Sequence, residues 1–302
     1  MVGRVNSGKA RAYAFQESTR FLASTDHGGR YNQRELPTAM FQAYLDESCE
    51  QQDAVFAVGG FVGDEREWRA LQTPWLNALP AGVEYFHATD CFGGREQFRG
   101  MDVPKRTEIL DTLTDLILDR TIWLVAGVID VPAYSAFSPK ALENDFLGNR
   151  YAAPFGAPLE YSCQAMNRPN EPFPHDVGDV CDFFIEESKY SASARKTLNS
   201  VRNHPDLWWS KRVGSLTVGS KIGPQGIPLL QVADLGAFLA AKKVANAPDG
   251  KIAWSKYCEK LLAGKRIFQI VHVDKGSLDK LHGLHEELKR EAAEGLHPYD
   301  DF

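Results

Sequence analysis

The chain has 302 residues, of which 43% are hydrophobic and 11% aromatic, enough apolar material to bury a sizeable core without disulfide or metal staples. Its formal net charge of −6 excludes a surface that coats nucleic acid by charge alone, because that mode releases counterions through many Lys and Arg side chains. No apolar run approaches the roughly 20 residues that span a bilayer, and the N-terminus carries no apolar signal core, so the expected compartment is the cytoplasm.

Residues 1–39 carry Gly, Ser, Arg and Asn with no hydrophobic period and read as a loosely attached extension, leaving 40–302 as a single domain. From Phe41, FQAYLDE reads as a strand that puts Gln42, Tyr44 and Asp46 on one face; a turn at Ser48 to Asp53 leads into a second strand, AVFAVGGFV. An amphipathic helix follows from about Asp64 to Leu79, with Pro74 as a point of kinking. A short strand, VEYF, then delivers His87 at its end. A helix over about Val103 to Asp119 precedes the apolar run IWLVAGVI, which reads as a buried strand ending at Asp130.

Residues 132–175, rich in Pro, Tyr, Phe and Asn, read as an irregular insertion or lid with two short helices. DVCDFFIEE then gives a strand on which Asp182, Phe184 and Glu186 share one face, so only one of Glu186 and Glu187 points into any given site; Glu186 is preferred. A helix near Ser191 to Asn203 and a strand around Gly214 to Val218 lead to a turn at Gly223 to Pro228. The strongly helical PLLQVADLGAFLAAKKVAN comes next and sets Gln231, Asp234 and Phe238 on one stripe of an otherwise apolar helix. RIFQIVHV reads as a last strand, and a charged helix near Leu278 to Glu294 finishes the chain. The cysteines, Cys49, Cys91, Cys163, Cys181 and Cys258, form no C-x-x-C pair and read as reduced structural thiols.

Carboxylates at the ends of separate strands, with one more on a late helix, are the oxygen donors that Mg²⁺ or Mn²⁺ takes, and Asp46, Glu186 and Asp234 are the candidates. Such ions can activate water and stabilise the leaving oxygen of a phosphodiester. Asp130 also ends a buried strand and rivals Glu186 as the third acid, with Glu187 behind it. An unpartnered carboxylate on the apolar helix of Asp234 would be costly, which itself calls for a cation or donors. Gln231 reads as an orienting hydrogen-bond group, Ser48 as a backbone partner and Lys221 as a solvated lysine or a phosphate contact. Trp208 and Trp209 could stack on bases, although structural aromatics are commoner. The basic residues Lys105, Arg106, Lys189, Arg195, Lys196, Lys211 and Arg212 read as ordinary solvated positions or as the edge of a groove.

The segments YLDES (Tyr44 to Ser48), FAVGGFV (Phe56 to Val62), YFHATD (Tyr85 to Asp90) and LQVADLGA (Leu230 to Ala237) occur in the order seen in a bacterial family, domain of unknown function 3800 (DUF3800), and the chain resembles that family over roughly residues 41 to 245. The family is similar to the ribonuclease H-like fold, which implies an α/β domain with a central mixed sheet of about five strands flanked by helices. It also implies a cluster of acidic metal ligands and a metal-dependent phosphodiesterase, a nuclease acting on DNA or RNA. Position by position, Asp46 and Glu47 match the acids of the first-strand motif, His87 the histidine of the third segment, and Asp234 the acid of the helix. The chain departs at Glu186 and Glu187, where the family carries Asp in a D-E pair. The alternative implied by that departure and by the negative charge is a non-catalytic nucleic-acid-binding or assembly subunit of a bacterial defence or mobile-element system, with protein partners or self-association.

Overall fold

The computed structural model describes residues 41–50, 54–136, 150–165, 180–203, 207 and 209–279. Strands β1 (Phe41–Glu50), β2 (Val55–Asp64), β3 (Ile122–Asp130), β4 (Cys181–Glu186), β5 (Val213–Gly219) and β6 (Ile267–Val273) form one mixed sheet in the order β5-β4-β1-β2-β3-β6. β1 runs antiparallel to β2, and β2 to β3, while β4 is parallel to β1, β5 to β4 and β6 to β3. The α/β architecture is as expected, with six strands rather than about five. The first hairpin also stays paired as far as Glu50 and Val55, past the expected turn at Ser48.

Helices α1 (Glu65–Asn77), α2 (Ala88–Gly93), α3 (Val103–Leu118), α4 (Val131–Ala136), α5 (Ala152–Ala165), α6 (Ser191–Arg202), α7 (Leu230–Val244) and α8 (Trp254–Ala263) flank the sheet. Asp64 and Asp102 accept backbone N–H groups at the starts of α1 and α3, the usual way the orphan donors of a first turn are met. Period-two alternation divides the sheet's two faces. Phe41, Ala43 and Leu45 of β1 join Cys181, Phe183 and Ile185 of β4 in the core that contains α5 residues such as Phe155 and Leu159. Tyr44 and Phe184 point the other way, into the core shared with α1, α3 and α7. Gln42, Tyr44 and Asp46 therefore look toward α7, as the alternation requires.

Helix α7 packs on β1 and β2, and its residues Leu230 to Ala241 are all buried. The contact is close because two glycines meet: a Cβ on Gly236 would come within 3.1 Å of the Gly60 Cα, and one on Gly60 would collide with the Tyr44 carbonyl.

Two sequence expectations need correction. VEYF is not a strand: it carries no ladder partner, and the Phe86 N–H donates instead to Gln231 Oε1 at 2.9 Å, so a side chain rather than a sheet edge holds it. Within the expected irregular insertion, α5 is a 14-residue core helix against β3, β2 and β6, with all but Gln164 buried. A helix buried on nearly every side has little amphipathic period to read, and Gly156 and Pro158 further disguise it. The expected extension, the C-terminal helix beyond residue 279 and Trp208 lie outside the described residues.

Candidate functional site

β1, β4 and β5 run parallel, and their carboxyl ends are the usual place for a ligand site in an open α/β sheet. Asp46 comes from β1, Glu186 is the last residue of β4, and Lys221 follows the end of β5 by two residues. Asp234 enters from above, from the first turns of α7. Lys221 Nζ lies 2.8 Å from Glu186 Oε2, 3.3 Å from Asp46 Oδ2 and 3.6 Å from Asp234 Oδ1. Three acids separated by up to 188 residues of chain (Asp46 to Asp234) are thus gathered on one ammonium, itself only 10% exposed.

Each side chain is held from a second direction. Asp46 Oδ1 accepts the Glu47 N–H at 2.7 Å, and Asp234 Oδ2 accepts the N–H of Ala88. Gln231, three residues before Asp234 on the same stripe, accepts from Phe86 N and Trp75 Nε1 and donates to the Lys221 carbonyl at 3.3 Å. One amide therefore pins both the segment carrying His87 and the loop carrying Lys221. That loop closes on itself through Ile227 N to Ser220 O at 2.7 Å and turns at Gly223, whose φ of +90° suits glycine.

His87 caps the N-terminal end of α2, with Nδ1 2.8 Å from Asp90 Oδ2 and Nε2 3.6 Å from Asp234 Oδ1. The Asp90 contact assigns the ring proton to Nδ1 and leaves Nε2 facing the carboxylate cluster. Arg106 anchors the other end of α2 by donating to the Cys91 and Phe92 carbonyls at 2.6 and 2.8 Å. It is thus a buried helix-end partner and neither a solvated residue nor part of a basic groove.

Burial raises the Asp46 carboxyl well above its usual range; Lys221 opposes that shift, and Asp234 and Glu186 add to it. Burial alone would pull the Lys221 ammonium down, but Asp234, Asp46 and Glu186 outweigh it and hold the group above its ordinary range. Lys221 is therefore a permanent cation and is unsuited to act as a neutral amine nucleophile. Three carboxylates against one ammonium leave two formal negative charges in a largely buried site.

Of the residues singled out from sequence, Asp46, Glu186, Asp234 and His87 come together. Glu47 turns aside to Ser188, whose Oγ donates to Glu47 Oε1 at 2.8 Å, and its carboxyl is raised chiefly by burial. The rivals of Glu186 are otherwise engaged: Asp130 accepts the Ala133 N–H in the first turn of α4, and Glu187 is exposed. Lys221 is not the solvated lysine the sequence favoured. Trp209 is a core residue. Asp90 joins the site beyond the residues expected from sequence; its spacing of three from His87 across a helix start, in HATD, is the signal for it. Cys91, Cys163, Cys181 and Cys258 are buried thiols.

Among the described residues, no three His, Cys, Asp or Glu side chains are spaced to hold a metal ion as they stand, and no helix is long and apolar enough to cross a membrane. No family model matches the chain, and no curated protein or solved structure matches it either.

Proposed function

We propose that the chain is a cytoplasmic, divalent-metal-dependent phosphodiesterase, a nuclease of the ribonuclease H-like class and a relative of the DUF3800 family. The observation that carries this reading is the convergence of Asp46 Oδ2, Glu186 Oε2 and Asp234 Oδ1 on one cation position. The donor set fits Mg²⁺ or Mn²⁺ by its chemistry: three hard carboxylate oxygens with two uncompensated negative charges. A bound ion of that kind supplies an activated water and offsets charge on a phosphodiester.

The chain's own residues do the rest. Asp46 and Asp234 are aimed by the backbone N–H groups of Glu47 and Ala88, so their free oxygens are preorganised toward the shared point. Glu186, the most exposed of the three acids, forms the open side. His87 Nε2, with its ring oriented by Asp90 and 34% exposed, can take or return a proton at the edge of the acidic cluster. Gln231 positions rather than reacts.

Incubation of the purified chain with Mg²⁺ or Mn²⁺ and single- and double-stranded DNA and RNA tests the reading. Cleavage should occur and fall by at least about 100-fold in Asp46→Ala and Asp234→Ala. Intact substrates throughout, with Asp46→Ala unchanged in metal binding, would overturn it.

One observation favours the non-catalytic alternative: Lys221 already supplies a cation to the acidic cluster. Nucleic-acid binding without cleavage that survives Asp46→Asn and Asp234→Asn would select a binding or assembly subunit instead.

A further inference from the structure

The carboxylates stand off from Lys221 at ion-pair distances, 2.8 to 3.6 Å, and this spacing suits an ammonium rather than a divalent ion. Oxygens bound to Mg²⁺ lie at about 2.1 Å, so three acids around that same point would have to draw inward by roughly 1 Å. They cannot do so around Nζ. An ammonium and a divalent ion also cannot share the position, since both are cations and both take the same lone pairs.

Lys221 has a route out that Asp46 and Asp234 lack. Its carrier is the loop after β5, where Ile222, Gly223, Pro224 and Gln225 are exposed, whereas Asp46 lies within the sheet and Asp234 on a fully buried turn of α7. At the lysine itself the loop is tied to its surroundings by the Gln231 amide on the Lys221 carbonyl and by the ammonium. Breaking the second leaves the first, so the side chain can leave while its backbone stays.

We propose that Lys221 is a resident counter-cation of the acidic site, holding Asp46, Glu186 and Asp234 together when the metal is absent and giving up its place when a divalent ion binds. The inference rests on the metal-site reading above and deepens it: the site exchanges one cation for another instead of filling a vacancy. Without Lys221, the three gathered carboxylates would repel one another and spread apart. With it, the site is preformed at the cost of a competitor for the metal.

The full chain, labelled with ¹⁵N-lysine, is titrated with Mg²⁺ and followed by NMR, the Lys221 ammonium signal being assigned by its loss in Lys221→Met. A side-chain ammonium shielded from water in metal-free protein, whose signal disappears or moves to the position of solvated lysines as Mg²⁺ saturates, is the expected result. In parallel, Mn²⁺ affinity measured by electron paramagnetic resonance should rise at least tenfold in Lys221→Met.

If Lys221→Met does not fold in EDTA, Lys221→Gln, which keeps a hydrogen-bonding end, supplies both the assignment and the affinity. An ammonium signal unchanged at saturating Mg²⁺, or a variant that binds Mn²⁺ no tighter than the wild type, overturns the exchange and leaves the metal site standing. Mn²⁺ bound by neither protein overturns the metal-site reading and the exchange together.

Discussion

On one face of the sheet α7 lies close against β2 because Gly60 and Gly236 let the backbones approach; on the other, α5 lies close against β3, where a Cβ on Gly127 would fall on the Pro154 carbonyl. Both helices are buried on nearly every side, and both carry an acid, Asp234 on α7 and Glu160 on α5, each 5% exposed. Their surroundings differ. Asp234 meets a backbone N–H, an ammonium and an imidazole. Glu160 Oε1 accepts from Gln164 at 2.8 Å, while Oε2 has no hydrogen-bond partner among the described residues. Burial acts on both faces alike; on the first a cation and aimed backbone donors face the buried carboxylate, and on the second burial, opposed by the Gln164 amide, pushes Glu160 up to about 7. The contrast separates a carboxylate built to bear charge from one tolerated in a core.

Removing the cation should do the most damage. Lys221→Met leaves Asp46, Glu186 and Asp234 facing one another without compensation, and deleting one partner of a buried ion pair costs about 3 to 5 kcal/mol. Urea denaturation in EDTA measures it, and a loss under about 1 kcal/mol would mean that the cluster does not depend on its lysine. Next come the two glycine contacts. Gly60→Ala and Gly127→Ala each drive a methyl group into a backbone carbonyl, Tyr44 or Pro154, and each should lose about 3 kcal/mol, at the upper end of overpacking. Only Gly60→Ala should also weaken Mn²⁺ binding, because only α7 carries a site acid. Equal effects on metal affinity would mean that α7 and α5 contribute alike to the site.

Part of this contrast is legible in the sequence. Alternation along FQAYLDE and DVCDFFIEE set Asp46 and Glu186 on the faces they occupy, and an aspartate inside an apolar helix announced that it needed partners. What could not be read depends on pairing across the chain. Glu186 prevails over Asp130 because β4 lies beside β1, whereas β3 is separated from β1 by β2, and strand order has no local signature. VEYF has strand-like residues, but its Phe86 N–H is taken by the Gln231 side chain of α7, a contact with no local signature. Lys221 looked solvated because a lysine before a Gly-Pro turn usually is; its burial comes from acids that arrive from β1, β4 and α7. Helix α5 has no periodic signal in the sequence because near-uniform burial erases it.

Glu160 yields the smallest and most specific effect. Its carboxyl rises from 4.5 to about 7 in the folded chain, so the folded state holds a proton there that the unfolded state has released at intermediate pH. The associated stability is fully present below pH 4.5, declines as the pH rises through 7 and is absent above it. A shift of that size corresponds to about 3 kcal/mol, and water reaching the site by local opening should trim the observed change to about 2 kcal/mol. Asp46 and Glu47 are raised too and slope the same way, so the Glu160 contribution is the difference between the wild type and Glu160→Gln, not the wild-type slope. Urea denaturation of both proteins at pH 5 and pH 8 should find Glu160→Gln gaining on the wild type by about 2 kcal/mol as the pH rises between those values. A constant difference would mean that the Glu160 carboxyl has the same affinity for its proton in the folded and unfolded chain, and that the face carrying α5 tolerates a bare charge as readily as the face carrying Asp234.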